Sequence, residues 1–511
     1  MSFMGIDIGT TGCKVIAFDD RGDALATAYR EYPVLSPNPG WAELDPRVVI
    51  NHCKDCIAQV AMEVKNSDPV VAIATASQGE AFTVIDRNDK YLCNAMVSSD
   101  MRCQKQVQQL TEQLGLDNLY KTTGASPHTM CSLFKLAWLR ENYPEILDNA
   151  SKILCFEDLL GYELTGQTVI DYSMAGRTML FDVTSKSFCD TILDSVGISK
   201  DVLSQPVPSG TVVGKIKPDI GEQLNLSKDV IVVAGGHDQP CGALGAGAVE
   251  PGVAIYATGT VECICPAFEK LLLSDTLRKS NLATYHHVVE GLYTTVAFNL
   301  TGGNLLRWFR DEFGAEENRQ AKDAGKDVYD LLLRQIPSEP TNIFVLPHFT
   351  PTGTPHFDTS PTSAILGLDL TTTRGQFIKA LLEGITYEMN LNVEILAKAG
   401  NEIKELRAVG GGAKSEIWMQ LKSDIIGLPI VSLNISEAGC FGAAMLAAAG
   451  AGVVSSPKEA AKMWVKPSRT FTPNKKNLDV YSKKYDIYRN LYYAIKPVGS
   501  KMAKQTRLIA T

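Results

Sequence analysis

Four glycine-rich turns, each entered from an apolar strand, carry the residues of this chain that could do chemistry. The first reads Asp7-Ile8-Gly9-Thr10-Thr11-Gly12-Cys13-Lys14: an acid at a strand end, two hydroxyls in a tight turn, and a cation on the returning strand. The second, Gly235-Gly236-His237-Asp238-Gln239-Pro240, puts a carboxylate where a helix begins. The third is Thr258-Gly259-Thr260, and the fourth, Gly410-Gly411-Gly412-Ala413-Lys414-Ser415, leads into a helix. Glycines let a ligand approach the backbone closely. The set suits phosphoryl transfer, which asks a protein for donors around phosphates, a divalent ion, and an acceptor oxygen held in line.

Each residue then has an expected part. Asp7 can anchor a hydrated Mg²⁺, because that ion keeps waters and uses one or two carboxylates. Gly9, Thr10, Thr11 and Gly12 offer N–H groups and hydroxyls to phosphate oxygens, Lys14 adds a positive charge, and Thr260 faces them from the second half. Asp238 would accept the proton of an attacking hydroxyl. A carboxylate there is also a common helix cap, and the helix dipole is expected to lower its pKa. A weak but well-aimed base suffices where the proton leaves late. Gln78 and Glu80, and Asp100 in Ser98-Ser99-Asp100-Met101-Arg102, suit a polyhydroxylated ligand whose hydroxyls both donate and accept. Gly411 and its glycine neighbours allow a flat base or ribose to lie on the backbone, next to a helix N-terminus that favours phosphate. The spacing is not that of a Walker A loop, and no Gly-x-Gly-x-x-Gly opens a βαβ unit.

Strands and helices alternate along the whole chain, an α/β pattern. Residues 4–7 and 14–19 read as a hairpin and 26–32 continues the sheet; Asp45-Pro46 starts a helix running to about 64. Strands over 70–76 and 82–86 flank the Gln78 turn, 133–141 is helical, and 230–234 is a buried strand reaching Asp238. After a turn at 248–252, strands over 253–257 and 261–265 repeat the opening pattern of strand, Gly-Thr turn and returning strand. That makes a long-period duplication plausible. Helices follow over 305–313, 376–397 and 416–426, and the lysine-rich, tyrosine-rich tail reads as helical packing.

At 511 residues the chain calls for two large domains. A net charge of −8 argues against a nucleic-acid partner. The longest weakly polar run, about 443–454, is too short and glycine-broken to span a membrane. No secretory signal is visible, and twelve scattered cysteines are consistent with reduced thiols in a cytoplasm. His52-Cys53-Lys54-Asp55-Cys56 has metal-like spacing but sits inside an expected helix without a second pair.

The assembled pattern resembles the FGGY family of carbohydrate kinases. The likeness covers residues 5 to about 449. It includes a signature-like segment Met130-Cys131-Ser132-Leu133-Phe134-Lys135-Leu136, a second one running from Ser363-Ala364-Ile365-Leu366-Gly367 to Glu383, and Asp171-Tyr172-Ser173 with Ala175-Gly176. The resemblance implies two ribonuclease-H-like (actin/hexokinase-type) domains, 1–247 for the acceptor and base and 253–511 for the nucleotide, with an interdomain cleft that holds ATP and Mg²⁺ and closes on the acceptor. It places Asp7 on the metal-associated acid, Asp238 on the catalytic base, and Thr260, Gly303 and Gly412 on nucleotide contacts. Asp238-Gln239 matches the pair of the glycerol kinases, which puts Gln239 beside the acceptor, and Glu80 matches their acid. The expected acceptor is an uncharged open-chain ketose or polyol of about five carbons, D-xylulose first; gluconate is disfavoured because Glu80 would repel a carboxylate. Alternatives are a glycerol- or erythritol-type polyol kinase and a non-transferring nucleotide switch on the same fold. Acyl-phosphate synthesis would want an arginine in the pocket, for which Arg102 and Arg177 are weak candidates. A homodimer is left open.

Overall fold

The computed structural model describes residues 1–358, 360 and 363–509, so the end of the second expected domain, 510–511, lies outside the described residues. Two twisted sheets organise it. The first is built from β1 (Ser2–Ile8), β2 (Gly12–Phe18), β3 (Ala24–Glu31), β4 (Val70–Ser77), β5 (Val212–Lys215) and β6 (Ile231–His237), in the order β5-β6-β4-β1-β2-β3. The second contains β7 (Val253–Thr258), β8 (Glu262–Phe268), β9 (Tyr285–His286), β10 (Tyr293–Thr294), β11 (Ala297–Asn299), β12 (Glu405–Val409), β13 (Ile430–Leu433) and β14 (Pro467–Phe471).

The expected duplication is visible in the pairing. In the first sheet β1 is antiparallel to β2 and β2 to β3, β1 and β4 are parallel, β4 and β6 are parallel, and β5 closes antiparallel. In the second, β7 is antiparallel to β8 and β8 to β11, β7 and β12 are parallel, β12 and β13 are parallel, and β14 closes antiparallel. The sequence expectation for 230–234 falls short: the strand runs on through Gly235-Gly236 to His237, with a pairing irregularity between Val233 and Gly236.

Two helices of small residues lock the halves together. The first, α1 (Asp238–Gly245), leaves β6; the second, α2 (Ala438–Gly450), follows β13. They pack on each other, and α2 also lies on β1 and β4 of the first sheet. Their backbones touch: a Cβ added at Gly245 would sit 2.1 Å from the Ala438 carbonyl oxygen, and one at Gly442 would sit 1.9 Å from that of Cys241. Only small residues permit such an approach. The apolar run near 443–454 is thus an internal packing surface, and among the described residues no helix is long and apolar enough to cross a membrane.

Candidate active site

The β1–β2 register places Asp7 opposite Lys14. The turn between them closes with Gly9 N–H donating to the Gly12 carbonyl at 3.0 Å. Gln78 braces it from the end of β4: its Nε2 donates to the Gly9 carbonyl at 3.1 Å, and its Oε1 accepts from Thr10 Oγ1 at 3.1 Å. Both ends of the Gln78 amide therefore serve the phosphate-side turn. Lys14 Nζ is engaged as well, 2.5 Å from Glu437 Oε1 at the head of α2. Burial first, and then the Glu437 charge, push the Asp7 carboxyl up to about 6 against the opposing pull of Lys14.

Glu80 has φ of +63°, a left-handed conformation that a non-glycine residue adopts only when its surroundings impose it. Its carbonyl accepts from Ser132 Oγ at 2.9 Å and from the fully buried Lys135 Nζ at 3.3 Å. Its carboxylate is ion-paired with Arg177, whose Nε donates to Oε1 at 2.6 Å and whose Nη2 reaches the same oxygen. The pair is neutral overall, which removes the ground on which Glu80 alone was expected to repel a carboxylate. Arg177 was undervalued because nothing local in the sequence ties it to a residue 97 positions away. Asp100 is wholly buried: it accepts from Ala42 N–H at 2.7 Å and binds Arg102 at 2.6 Å, and that guanidinium lies 3.6 Å from the Trp41 ring centroid. It braces its loop, and neither oxygen is left for a ligand.

Asp238 is the first residue of α1, and His237 occupies the cap position without a side-chain cap bond. Its Oδ1 is buried and accepts no hydrogen bond. The expectation of a lowered pKa is overturned: burial, then the charges of Asp7 and Glu80, push it up to about 7 despite hydrogen bonds from Gln239. Buried like charges outweigh the dipole of a short helix. The segment is held from behind by carboxylates. Glu157 Oε1 accepts from Gly235 N–H at 3.0 Å; Asp171 Oδ1 accepts from Ser173 Oγ at 3.0 Å, and that oxygen accepts from His237 N–H at 2.9 Å. Asp171 also caps its own helix, accepting from Ser173 and Met174 N–H.

In the second half, a cavity of about 610 Å³ is lined by Gly259, Thr260, Gly303, Gly411, Gly412 and Trp418. Helix α3 (Gly303–Phe313) starts at its wall, with Gly303 N–H donating to the Gly259 carbonyl at 2.8 Å and Asn304 N–H to the Thr260 carbonyl at 3.2 Å. Gly410 has φ of +93°, and a Cβ at Gly412 would come within 2.4 Å of Thr258 Oγ1. Beneath lies a pair that the motifs did not signal. Lys422 and Glu262, both fully buried, are ion-paired; Lys422 Nζ also donates to Tyr256 Oη at 2.7 Å, and Glu262 accepts from Thr258 Oγ1 at 2.9 Å. Its ammonium lies 4.6 Å from the Trp418 ring.

A duplicated sheet, two helices that lock its halves, two acids at one edge of the first sheet and a glycine-walled cavity define a phosphotransferase of the actin/hexokinase-like fold. The chain belongs to the FGGY family of carbohydrate kinases: residues 2–245 match the N-terminal domain of that family and residues 256–451 its C-terminal domain. It is 28% identical over 500 residues to the xylulose kinase of Bacillus subtilis (strain 168), covering 98% of each chain. It is also 26% identical over 519 residues to the gluconokinase of Bacillus licheniformis, covering 99% of each. Among solved structures it resembles a xyloylose kinase from Brucella ovis, with TM-score 0.88, 25% identity, and coverage of 98% of this chain and 100% of that one. The protein is an ATP-dependent sugar kinase.

Proposed function

We propose that the enzyme transfers the terminal phosphoryl group of ATP to a primary hydroxyl of an open-chain ketose or polyol of about five carbons, D-xylulose foremost. The observation that carries this reading is Asp238: its pKa is raised to about 7, its Oδ1 is buried without a hydrogen bond, and it stands at the same sheet edge as Asp7 in a chain that also carries a cavity of nucleotide size. A carboxylate near neutrality is a competent base at working pH. The acceptor would lie between Asp238 with Gln239 and the Glu80–Arg177 pair, with Gln78 bracing the neighbouring Gly9 turn and Asp100 its own loop. Thr10, Thr11 and Lys14 would meet phosphates from one side, and Thr260, Gly303, Gly411 and Gly412 would hold the nucleotide on the other. We divide the halves between 247 and 253, and twelve free cysteines fit a reducing cytoplasm.

Among the described residues no three metal-ligating side chains form a cage, and Mg²⁺ needs none, taking one or two carboxylates together with waters and phosphates. Asp7 fits that demand and would hold the ion through water. The ion supplies neutralisation of charge on the phosphates.

The test is ADP release over a panel of ketopentoses, pentitols, tetritols, glycerol and gluconate at fixed Mg-ATP, with the sugar phosphate confirmed by mass. D-Xylulose should stand out; a polyol or gluconate ahead of it would replace the named acceptor. Asp238→Ala should still bind ATP and lose transfer roughly 10²–10⁴-fold. Substantial residual turnover would remove Asp238 as the base.

A further inference from the structure

Tyr285 belongs to the sheet of the second half, yet its side chain ends in the acceptor wall of the first. It is 1% exposed. Its hydroxyl lies 2.9 Å from His237 Nδ1, and its ring lies 5.3 Å from the Arg177 guanidinium that holds Glu80. The other imidazole nitrogen, His237 Nε2, is 3.2 Å from Asp238 Oδ1. The ring fits there because residue 79 is glycine: a Cβ at Gly79 would sit 3.1 Å from His237 Nε2.

His237 is neutral, since burial and then the nearby Arg177 charge hold its pKa well below the usual histidine range. A neutral imidazole carries one N–H, and its position follows from its neighbours. With the proton on Nδ1, the Nε2 lone pair would face the carboxylate of Asp238. With Tyr285 Oη donating to Nδ1, the proton sits on Nε2 and points at Oδ1. Against an ionised Asp238, the form in which a base acts, only the second arrangement is attractive at both ends. We propose that Tyr285 and His237 are positioning residues for the base: the tyrosine fixes the Nε2–H tautomer, and Nε2–H holds Asp238 Oδ1 so that Oδ2 is left to meet the acceptor hydroxyl. The 3.2 Å separation, not yet aligned as a hydrogen bond, tightens when the acceptor is bound, as such contacts commonly do. Because Tyr285 comes from the second half, the base is fully aimed only when that half is in place.

The inference rests on the reading of Asp238 as the base. The tautomer itself is measured without catalysis, so the two can fail separately. Long-range ¹H–¹⁵N spectra of the full-length enzyme, labelled at histidine, should show His237 as Nε2–H, its signal assigned by its loss in His237→Gln. Tyr285→Phe removes one oxygen and keeps the ring, and should shift that signal toward Nδ1–H. It should also lower kcat roughly tenfold, the worth of one mis-set hydrogen bond, with the KM for ATP unchanged. His237→Gln, whose amide nitrogen can donate as Nε2–H does, should keep kcat within about threefold of wild type, whereas His237→Leu should lose about a hundredfold. A wild-type Nδ1–H tautomer, a Tyr285→Phe enzyme unchanged in tautomer and kcat, or a leucine variant as active as the glutamine one would overturn the proposal.

Discussion

Lys14 Nζ lies 2.5 Å from Glu437 Oε1, joining the strand that returns from the phosphate-side turn to the head of the helix that crosses from the other half. The cation expected to meet phosphate is therefore paired with a carboxylate. Both side chains are about a quarter to a third exposed, so the pair contributes little to stability. Its consequence lies in binding: if Lys14 meets phosphate as proposed, nucleotide competes with Glu437 for it.

Lys14→Met should weaken ATP binding roughly tenfold, the scale of one lost charge-assisted hydrogen bond, while leaving the acceptor KM unchanged. In a double-mutant cycle with Glu437→Gln, calorimetric ATP affinities should be non-additive. Additive losses would mean that the two side chains act independently.

On the proposed reading the Glu80–Arg177 pair forms part of the acceptor wall, and its members should fail differently. Glu80→Gln should raise the acceptor KM at least about tenfold with little change for ATP. Arg177→Ala leaves a nearly buried carboxylate unpaired and should cost about 3–5 kcal/mol of unfolding free energy in denaturant titrations. Equal damage to both substrates' KM values by Glu80→Gln would take Glu80 out of the acceptor pocket.

Function and stability should separate with pH. Asp238 sits at about 7 and Asp7 at about 6, both above the ordinary aspartate value of 3.8. The folded state thus holds these protons more tightly than the unfolded chain. Their ionisation costs stability above the folded pKa, and that cost is relieved as pH falls through about 7 toward 4. With Asp238 as the proposed base, transfer needs it ionised, so kcat/KM should fall as pH drops below about 7. Asp238→Asn should be inactive and more stable than wild type at pH 8, by about 1–3 kcal/mol, with the difference shrinking toward pH 5. Thermal melts at both pH values test this; a variant no more stable at pH 8 would contradict it.

Under the glycine-walled cavity, Lys422 and Glu262 are both fully buried. Burial pulls the Lys422 pKa down, and Glu262 holds it up. Lys422→Ala should cost about 3–5 kcal/mol by stranding Glu262. Lys422→Met with Glu262→Gln should recover most of that loss, because an uncharged pair of similar volume needs no compensation. ATP affinity should follow stability through Trp418 and Thr258, as read by fluorescence titration. A stable Lys422→Ala enzyme would place the pair outside the support of the cavity.

The alternation of strands and helices, the two hairpins with Gly-Thr turns and the acids at Asp7 and Asp238 were all legible, because they depend on local backbone demands and on hydrophobic period. The β1–β2 hairpin and the helices over 46–64 and 416–426 lie where turn and cap residues put them. Less legible were residues whose meaning depends on distant partners. Gln78 and Asp100 read as ligand groups because polar residues in turns suit hydroxyls, yet one braces the Gly9 turn and the other is consumed by Arg102 and Ala42. Arg177, Tyr285, Glu437 and Lys422 carried no motif at all.

By itself, the sequence determined the duplicated α/β plan, the glycine turns and the family, since periodicity and turn chemistry act over a few residues at a time. Only the tertiary structure decided which charges meet. It set Lys14 against Glu437, neutralised Glu80 with Arg177, brought Tyr285 to His237, and raised Asp238 where the helix dipole alone would have lowered it. The reason is physical: burial and the charges of groups distant in sequence set a carboxylate's behaviour, and both exist only once the two sheets are locked by α1 and α2.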